Sequence, residues 1–199
     1  MVTDIILVIV AALFVGVYVS WRAGRIDRLH ARVAIARAAL DAALLRRSSI
    51  AFELASSGLL DPATSLLLAG AASTARTAAA ASTEDAASTE GAASTEDAAG
   101  AEDQAQPRDL AESDLTRALR AAFSQPDFRT SLAEKEGADE LLAEVEAAAH
   151  QVFLARKFYN DAVNETRDAR RRPLARVLRL AGKAGMPEYF EMDDSLTAE

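Results

Sequence analysis

Two hydrophobic patterns follow one another along the chain. Residues 5–21 read IILVIVAALFVGVYVSW, with no charge anywhere in the run. At a rise of about 1.5 Å per residue this gives a helix of roughly 25 Å, enough to cross the hydrocarbon core of a bilayer. In hydrocarbon every backbone amide and carbonyl must be satisfied within the segment, so the run is predicted as a helix despite its many Val residues. From Ile26 the pattern becomes periodic. Ile26, Leu29, Val33, Ala36, Leu40, Ala43, Ile50 and Leu54 recur at spacings that place them on one face of a long helix. That helix is predicted to end near Ser56-Ser57-Gly58. Asp61-Pro62 then reads as an N-cap followed by proline at the first helical position, opening a helix through Leu66, Leu67 and Leu68 that returns antiparallel.

Between residues 69 and 109 no large hydrophobe occurs, and a hexapeptide recurs as ASTEDA, ASTEGA and ASTEDA. Such a tract buries too little to offset an ordering entropy of roughly 1 to 2 kcal/mol per residue, so residues 81–107 are expected to form a disordered insertion at a hairpin tip. Its alanine content permits transient helix. The unit is too short and polar for a solenoid. Helical spacing resumes at Leu110, Leu115, Leu119 and Phe123, and Ser124-Gln125-Pro126-Asp127 reads as a turn. Ser131 and Glu134 fit a capping box, and Leu142, Val145, Ala149, Val152, Tyr159 and Val163 define a second long seam, with Gly137 a break near its start. The helix should stop around Arg170-Arg171-Arg172. Pro173 can open a short helix through Leu174, Val177 and Leu178 before Gly182 and Gly185 lead into a tail.

The predicted fold is therefore all-α: an N-terminal transmembrane helix followed by an elongated antiparallel helical bundle. The expected boundaries are a short extracytoplasmic N-terminus over 1–4, the span over 5–21, a first helical hairpin over 22–80, the acidic insertion over 81–107, the second half of the bundle over 108–182 and a C-terminal tail over 183–199. Two long helices with matching seams and two short ones pairing across the acidic loop suggest the bundle. Alanine at many seam positions permits close approach with less buried area.

Charge sets the expected topology. Ile5, Leu7, Val10, Leu13, Phe14, Val17, Tyr18 and Trp21 form the anchor, with the amphipathic rings of Tyr18 and Trp21 at one end. Arg22, Arg25 and Arg28 come directly after it, whereas only Asp4 precedes the run, so the N-terminus is expected outside and the rest in the cytoplasm, as a single-pass protein of the cell membrane. A cleaved signal peptide would need a basic start and a small residue where Tyr18 stands. The formal net charge of -8 argues against nucleic-acid binding, and its acidic part is local, since residues 84–103 carry no basic side chain. The expected partners are the lipid bilayer and other membrane or cytoplasmic proteins, with self-association left open.

Little else in the sequence suggests chemistry. Without cysteine there is no disulfide, thiol nucleophile or Cys-ligated metal, and His30 and His150 are the only imidazoles. No phosphate loop, dinucleotide fingerprint or nucleophile elbow is present, so neither enzymatic activity nor a cofactor is expected. The candidate polar residues are Arg46, Arg47, Arg156, Tyr159, Asn160 and Asp161, as a structural network or as partner contacts. Arg47 and Arg156 fall on the seams, which favours inter-helix ion pairs with Asp41, Glu53 or Asp161 over anion binding. Asn160 stands mid-helix, where a poor helix former suggests a specific amide hydrogen bond. Asn164-Glu165-Thr166 matches a glycosylation sequon by chance. Arg170, Arg171, Arg172, Arg176 and Arg179 form a basic cluster suited either to anionic headgroups or to a solvated helix end. Asp193-Asp194 is expected in a mobile tail.

Several segments together resemble the LemA family of bacterial membrane-anchored helical bundles. They are Leu44-Leu45-Arg46-Arg47, Ala111-Glu112-Ser113-Asp114-Leu115-Thr116-Arg117-Ala118-Leu119, Ala155-Arg156-Lys157-Phe158-Tyr159-Asn160-Asp161-Ala162-Val163, and the tail over 182–191 with Tyr189-Phe190-Glu191. The resemblance implies an N-terminal anchor and an antiparallel helical core without an assigned molecular function. The chain departs from it at Ser48-Ser49-Ile50, where relatives carry an apolar stretch with Pro and Asn, and in the hexapeptide repeats. The expected role is an interaction or scaffold protein at the cytoplasmic membrane, the alternative a signalling or envelope-stress accessory, and a cryptic enzyme a distant third.

Overall fold

The computed structural model describes residues 2–91, 98–124, 128, 137–173 and 185–194; within these, the side chains of residues 2, 8, 11, 12, 15, 22, 23, 83–91 and 98–107 are outside the description. Four long helices account for most of it: α1 (Val2–Ser56), α2 (Pro62–Gly91), α3 (Ala98–Phe123) and α4 (Ala138–Arg171). Among the described residues there is no strand. The chain divides into two compact units. One comprises Met1–Arg37 and Phe158–Tyr189, the other Ala38–Lys157 and Phe190–Glu199.

The core of the larger unit follows the two seams. Ile50, Ala51, Leu54 and Ala55 of α1 pack with Leu68, Ala72 and Ala75 of α2, Leu115 and Leu119 of α3, and Val145 and Ala148 of α4. Small residues on α2 leave room for larger side chains of its neighbours, Leu54 of α1 and Leu115 and Leu119 of α3. A smaller cluster sits under the chain between helices. There Phe128 and Ala138 are buried against Leu59, Leu60 and Phe123, with the Phe123 and Phe128 rings 5.3 Å apart and tilted. In the other unit the buried apolar positions are Ile26 and Val33 on α1 with Tyr159, Ala162 and Val163 on α4.

The helix ends have local causes. After Ser56, the Ser57 backbone amide and hydroxyl both donate to the Leu54 carbonyl, and Gly58 takes φ 73°, the left-handed conformation in which a Cβ is unfavourable. Asp61 Oδ2 accepts from the amides of Ala63 and Thr64, each at 3.0 Å, and Pro62 follows at the first helical position. Gly137, at φ 79°, lies immediately before α4. The helix therefore opens after this glycine; the capping box read at Ser131 and Glu134 lies outside the described residues.

Several expectations need revision. Residues 81–91 and 98–107, within the tract expected as a disordered insertion with transient helix, are helical in backbone, as the ends of α2 and α3. Alanine and glutamate are strong helix formers, and each stretch extends a helix already nucleated by packing. Residues 92–97 and the short helix expected after Pro173 lie outside the described residues. Leu66, Leu67 and Leu110 are exposed, so in α2 only Leu68 of its three consecutive leucines reaches the core. The membrane span is not shown: among the described residues no helix is long and apolar enough to cross a membrane. The side chains of Val8, Ala11, Ala12 and Val15, inside the apolar run, are not among those described.

Candidate functional site

The polar chemistry of the larger unit is organised around α3. Arg47 lies on the buried face of α1 between Leu44 and Ile50, and its side chain is 1% exposed. Its Nη2 donates to Glu112 Oε2 at 2.6 Å and to the Glu112 carbonyl at 3.1 Å, while Nη1 donates to Thr116 Oγ1 at 2.9 Å. Glu112 and Thr116 are one helical turn apart on α3, which is why one guanidinium reaches both. Thr116 in turn donates to the Glu112 carbonyl at 3.1 Å. Burial pushes the Glu112 carboxyl above the ordinary glutamate value, outweighing the opposing pull of Arg47 and then Arg108.

One turn before Glu112, Arg108 pairs with Asp41 of α1 at 2.7 Å, and its guanidinium lies 5.8 Å from the centre of the Phe190 ring. The same helix holds the C-terminal segment. Asp109 Oδ2 accepts from the Glu191 amide at 3.1 Å, and Ser113 Oγ accepts from the Asp193 amide at 3.1 Å while donating to the Asp109 carbonyl. The Asp193 carboxylate meets Arg120 Nη2 at 2.9 Å and 3.0 Å, one distance to each oxygen. Asp194 meets Arg156 Nε of α4 at 2.7 Å. Met192, which precedes these two carboxylates, is buried.

The smaller unit treats the preceding residues similarly. Tyr159 donates to the Glu188 carbonyl at 2.8 Å, Arg167 donates to the Pro187 carbonyl at 3.0 Å and lies over the Tyr189 ring at 5.2 Å, and Tyr189 donates to Asn164 Oδ1 at 3.1 Å. Arg170 also donates to the Gly185 carbonyl. In the same unit, burial lowers the His30 pKa; the charge of Arg170 adds to this and Asp27 opposes it.

These contacts revise the sequence reading in detail. Arg47 and Arg156 do form ion pairs, but with Glu112 and Asp194. Asp41 is taken by Arg108, while Asp161 is exposed on α4. Asp193 and Asp194, expected in a mobile tail, are both ion-paired. Tyr159 anchors the tail backbone, Asn160 is half-buried beside it, and Arg46 faces outward. Sequence reasoning overlooked Arg108, Asp109, Glu112, Ser113, Thr116 and Arg120. Their signal was present as spacing: 108, 112 and 116 repeat every turn on one row of α3, and 109, 113 and 120 form the neighbouring row.

Among the described residues no group of three or more His, Cys, Asp or Glu could hold a metal ion. The arrangement has the character of an all-helical scaffold fastened by ion pairs, with an added strap. Comparison with family models, known proteins and solved structures finds no match to the chain.

Proposed function

We propose that the chain is a membrane-anchored helical bundle of the LemA type that works through its surface, as an interaction or scaffold protein at the cytoplasmic membrane, rather than by catalysis. One observation carries this reading. Ile5, Leu7, Val10, Leu13, Phe14, Val17, Tyr18 and Trp21 are all exposed on one continuous helix; all but Ile5 fall on one side of it, and the helical repeat assigns the other side to positions that the sequence also fills with apolar residues. A helix packed against a water-soluble core shows an apolar stripe and a polar face, whereas one that is apolar all round needs an apolar surrounding. Leaving such side chains in water forgoes about 1.5 to 3 kcal/mol each. The sequence places Val8, Ala11, Ala12 and Val15 among them, which completes an uninterrupted hydrocarbon-compatible run.

Arg22, Arg25 and Arg28 at the end of that run favour a cytoplasmic location for the remainder of the chain. The helix that carries this run, α1, continues without interruption to Ser56. Membrane confinement raises the effective concentration of other membrane partners, so a bundle surface of modest affinity suffices.

Fractionation of cells expressing the full chain tests the anchor, and protease added outside intact cells tests the orientation. The chain is expected in the membrane pellet after an alkaline wash, and its bundle is expected to survive the protease. Release into the soluble fraction would overturn anchoring; digestion from outside would overturn the orientation.

A further inference from the structure

The C-terminal segment 190–194 is bound to the larger unit as a ligand is bound. It has no regular secondary structure, yet every residue in it is engaged, by burial, ring contact, amide hydrogen bond or ion pair. Its burial alternates: Phe190 and Asp194 are half-buried, Met192 is buried, and Glu191 and Asp193 are exposed. A strand-like period of two is the signature by which grooves read extended peptides, with the backbone held by hydrogen bonds and alternate side chains seated. Both elements are present. The amides of Glu191 and Asp193 donate to side chains of α3, Asp109 and Ser113. The aromatic ring of Phe190 lies by the Arg108 guanidinium, and the two consecutive carboxylates meet Arg120 and Arg156.

We propose that this face of α3 and α4 is a docking groove for an extended acidic peptide of a partner protein, with an aromatic residue followed at the third and fourth positions by carboxylates, and that the chain's own tail occupies it as an exchangeable guard. The chemistry of the occupant defines the partner. Two cations spaced to meet adjacent carboxylates select acidity, the side-chain acceptors at Asp109 and Ser113 require a free backbone, and the Arg108 guanidinium selects a ring. Exchange can start at the Arg120–Asp193 pair, whose side chains are 27% and 48% exposed and whose attraction is therefore weakened by solvent and salt. Tethering keeps the tail at a high local concentration, so a free peptide competes only when the tail is weakened or the partner is itself concentrated at the membrane. This groove rests on the reading of the chain as an interaction protein and not on its being anchored.

The test uses the full chain in detergent micelles and a fluorescent peptide of residues 189–195, YFEMDDS, followed by anisotropy. A chain with the tail weakened by Phe190→Ala, Asp193→Asn and Asp194→Asn is expected to bind the peptide about tenfold or more tightly than the intact chain, since the competing occupant is removed. Adding Arg120→Ala and Arg156→Ala is expected to abolish that gain, and a scrambled peptide is expected not to bind. Equal binding by intact and tail-weakened chains, or by the scrambled peptide, overturns the groove. Hydrogen exchange on the unmodified chain decides independently of any folding defect in the variants. The Glu191 and Asp193 amides should exchange through local opening at least about 100-fold faster than the core amides of Leu115 and Val152. Exchange at the core rate means the tail is a fixed part of the fold and overturns the proposal. Tail-dependent self-association with no capture of the peptide also overturns it, in favour of a second copy as the occupant. None of these results alters the fractionation outcome, so failure of the groove and failure of the anchor are separable.

Discussion

Arg47 of α1 and Glu112 of α3 meet at 2.6 Å with only 1% of either side chain exposed. Two ions so completely withdrawn from water are held by their mutual attraction and by the Thr116 hydroxyl and Glu112 carbonyl that share the guanidinium. Removing one partner leaves the other buried without the opposite charge that offsets its desolvation. Arg47→Ala and Glu112→Ala are each expected to destabilise the fold by about 3 to 5 kcal/mol. The double replacement Arg47→Met with Glu112→Leu should be close to neutral, because an apolar pair avoids desolvating two ions. Denaturant unfolding followed by helical circular dichroism checks this. Unchanged melting in Arg47→Ala would mean that the pair contributes no stability.

The same pair gives a pH signature. Glu112 has its pKa raised above 4.5 by burial, so at pH values between 4.5 and that folded value the native chain retains a proton the unfolded chain has released. The contribution of this group to stability is fully present below 4.5 and is lost as pH rises through the folded pKa. Glu112→Gln cannot titrate. The wild type is therefore expected to lose stability relative to Glu112→Gln as pH rises through that window, read as converging or crossing denaturation midpoints. A difference between the two that stays constant from about pH 4 to about pH 7 would falsify the shift.

How far the sequence revealed this structure depends on the distance over which each feature is decided. The seams of α1 and α4 were legible because helical periodicity is local, and Ile26, Val33, Leu40, Ile50, Leu54, Val145, Val152 and Val163 are buried as the spacing requires. The α1 terminus and the α2 start were legible for the same reason, through Gly58 and through Asp61 with Pro62. The partner of Arg47 was not. Arg47 and Glu112 lie 65 residues apart, and which carboxylate reaches the guanidinium depends on the register of α3 against α1. The tail was less legible, because many of its contacts are made by backbone amides and carbonyls, which every sequence possesses, and the partners of Asp193 and Asp194 lie far away in sequence. The helical backbone over 81–91 and 98–107 follows from helix propensity and not from core-forming residues, which the tract lacks.

His30 offers a second pH test, in the other unit. Burial and the nearby Arg170 charge lower its pKa below 6.5, so between the folded value and 6.5 the unfolded chain binds a proton that the native chain does not. Its contribution to stability is present above 6.5 and is lost as pH falls through the folded pKa. Replacing it by Asn should flatten the stability profile in that range, measured by thermal melting at closely spaced pH values. An NMR titration placing the His30 imidazole at or above 6.5 would contradict the assignment.

Leu67 and Leu68 are neighbours on α2 with opposite fates, 71% and 0% exposed. Leu68 packs with Leu54 of α1 and Leu115 and Leu119 of α3 in a core whose other α2 members are alanines. No larger α2 side chain stands ready to fill the space it occupies. Leu68→Ala is therefore expected to cost about 2 to 5 kcal/mol, through lost burial and the cavity left behind. Leu67→Ala should change stability by no more than about 0.5 kcal/mol, since the side chain already meets solvent and alanine is the better helix former. Chemical denaturation of the two variants in parallel measures the difference. Equal losses would mean that α2 is rotated about its axis, with a different face turned toward α3.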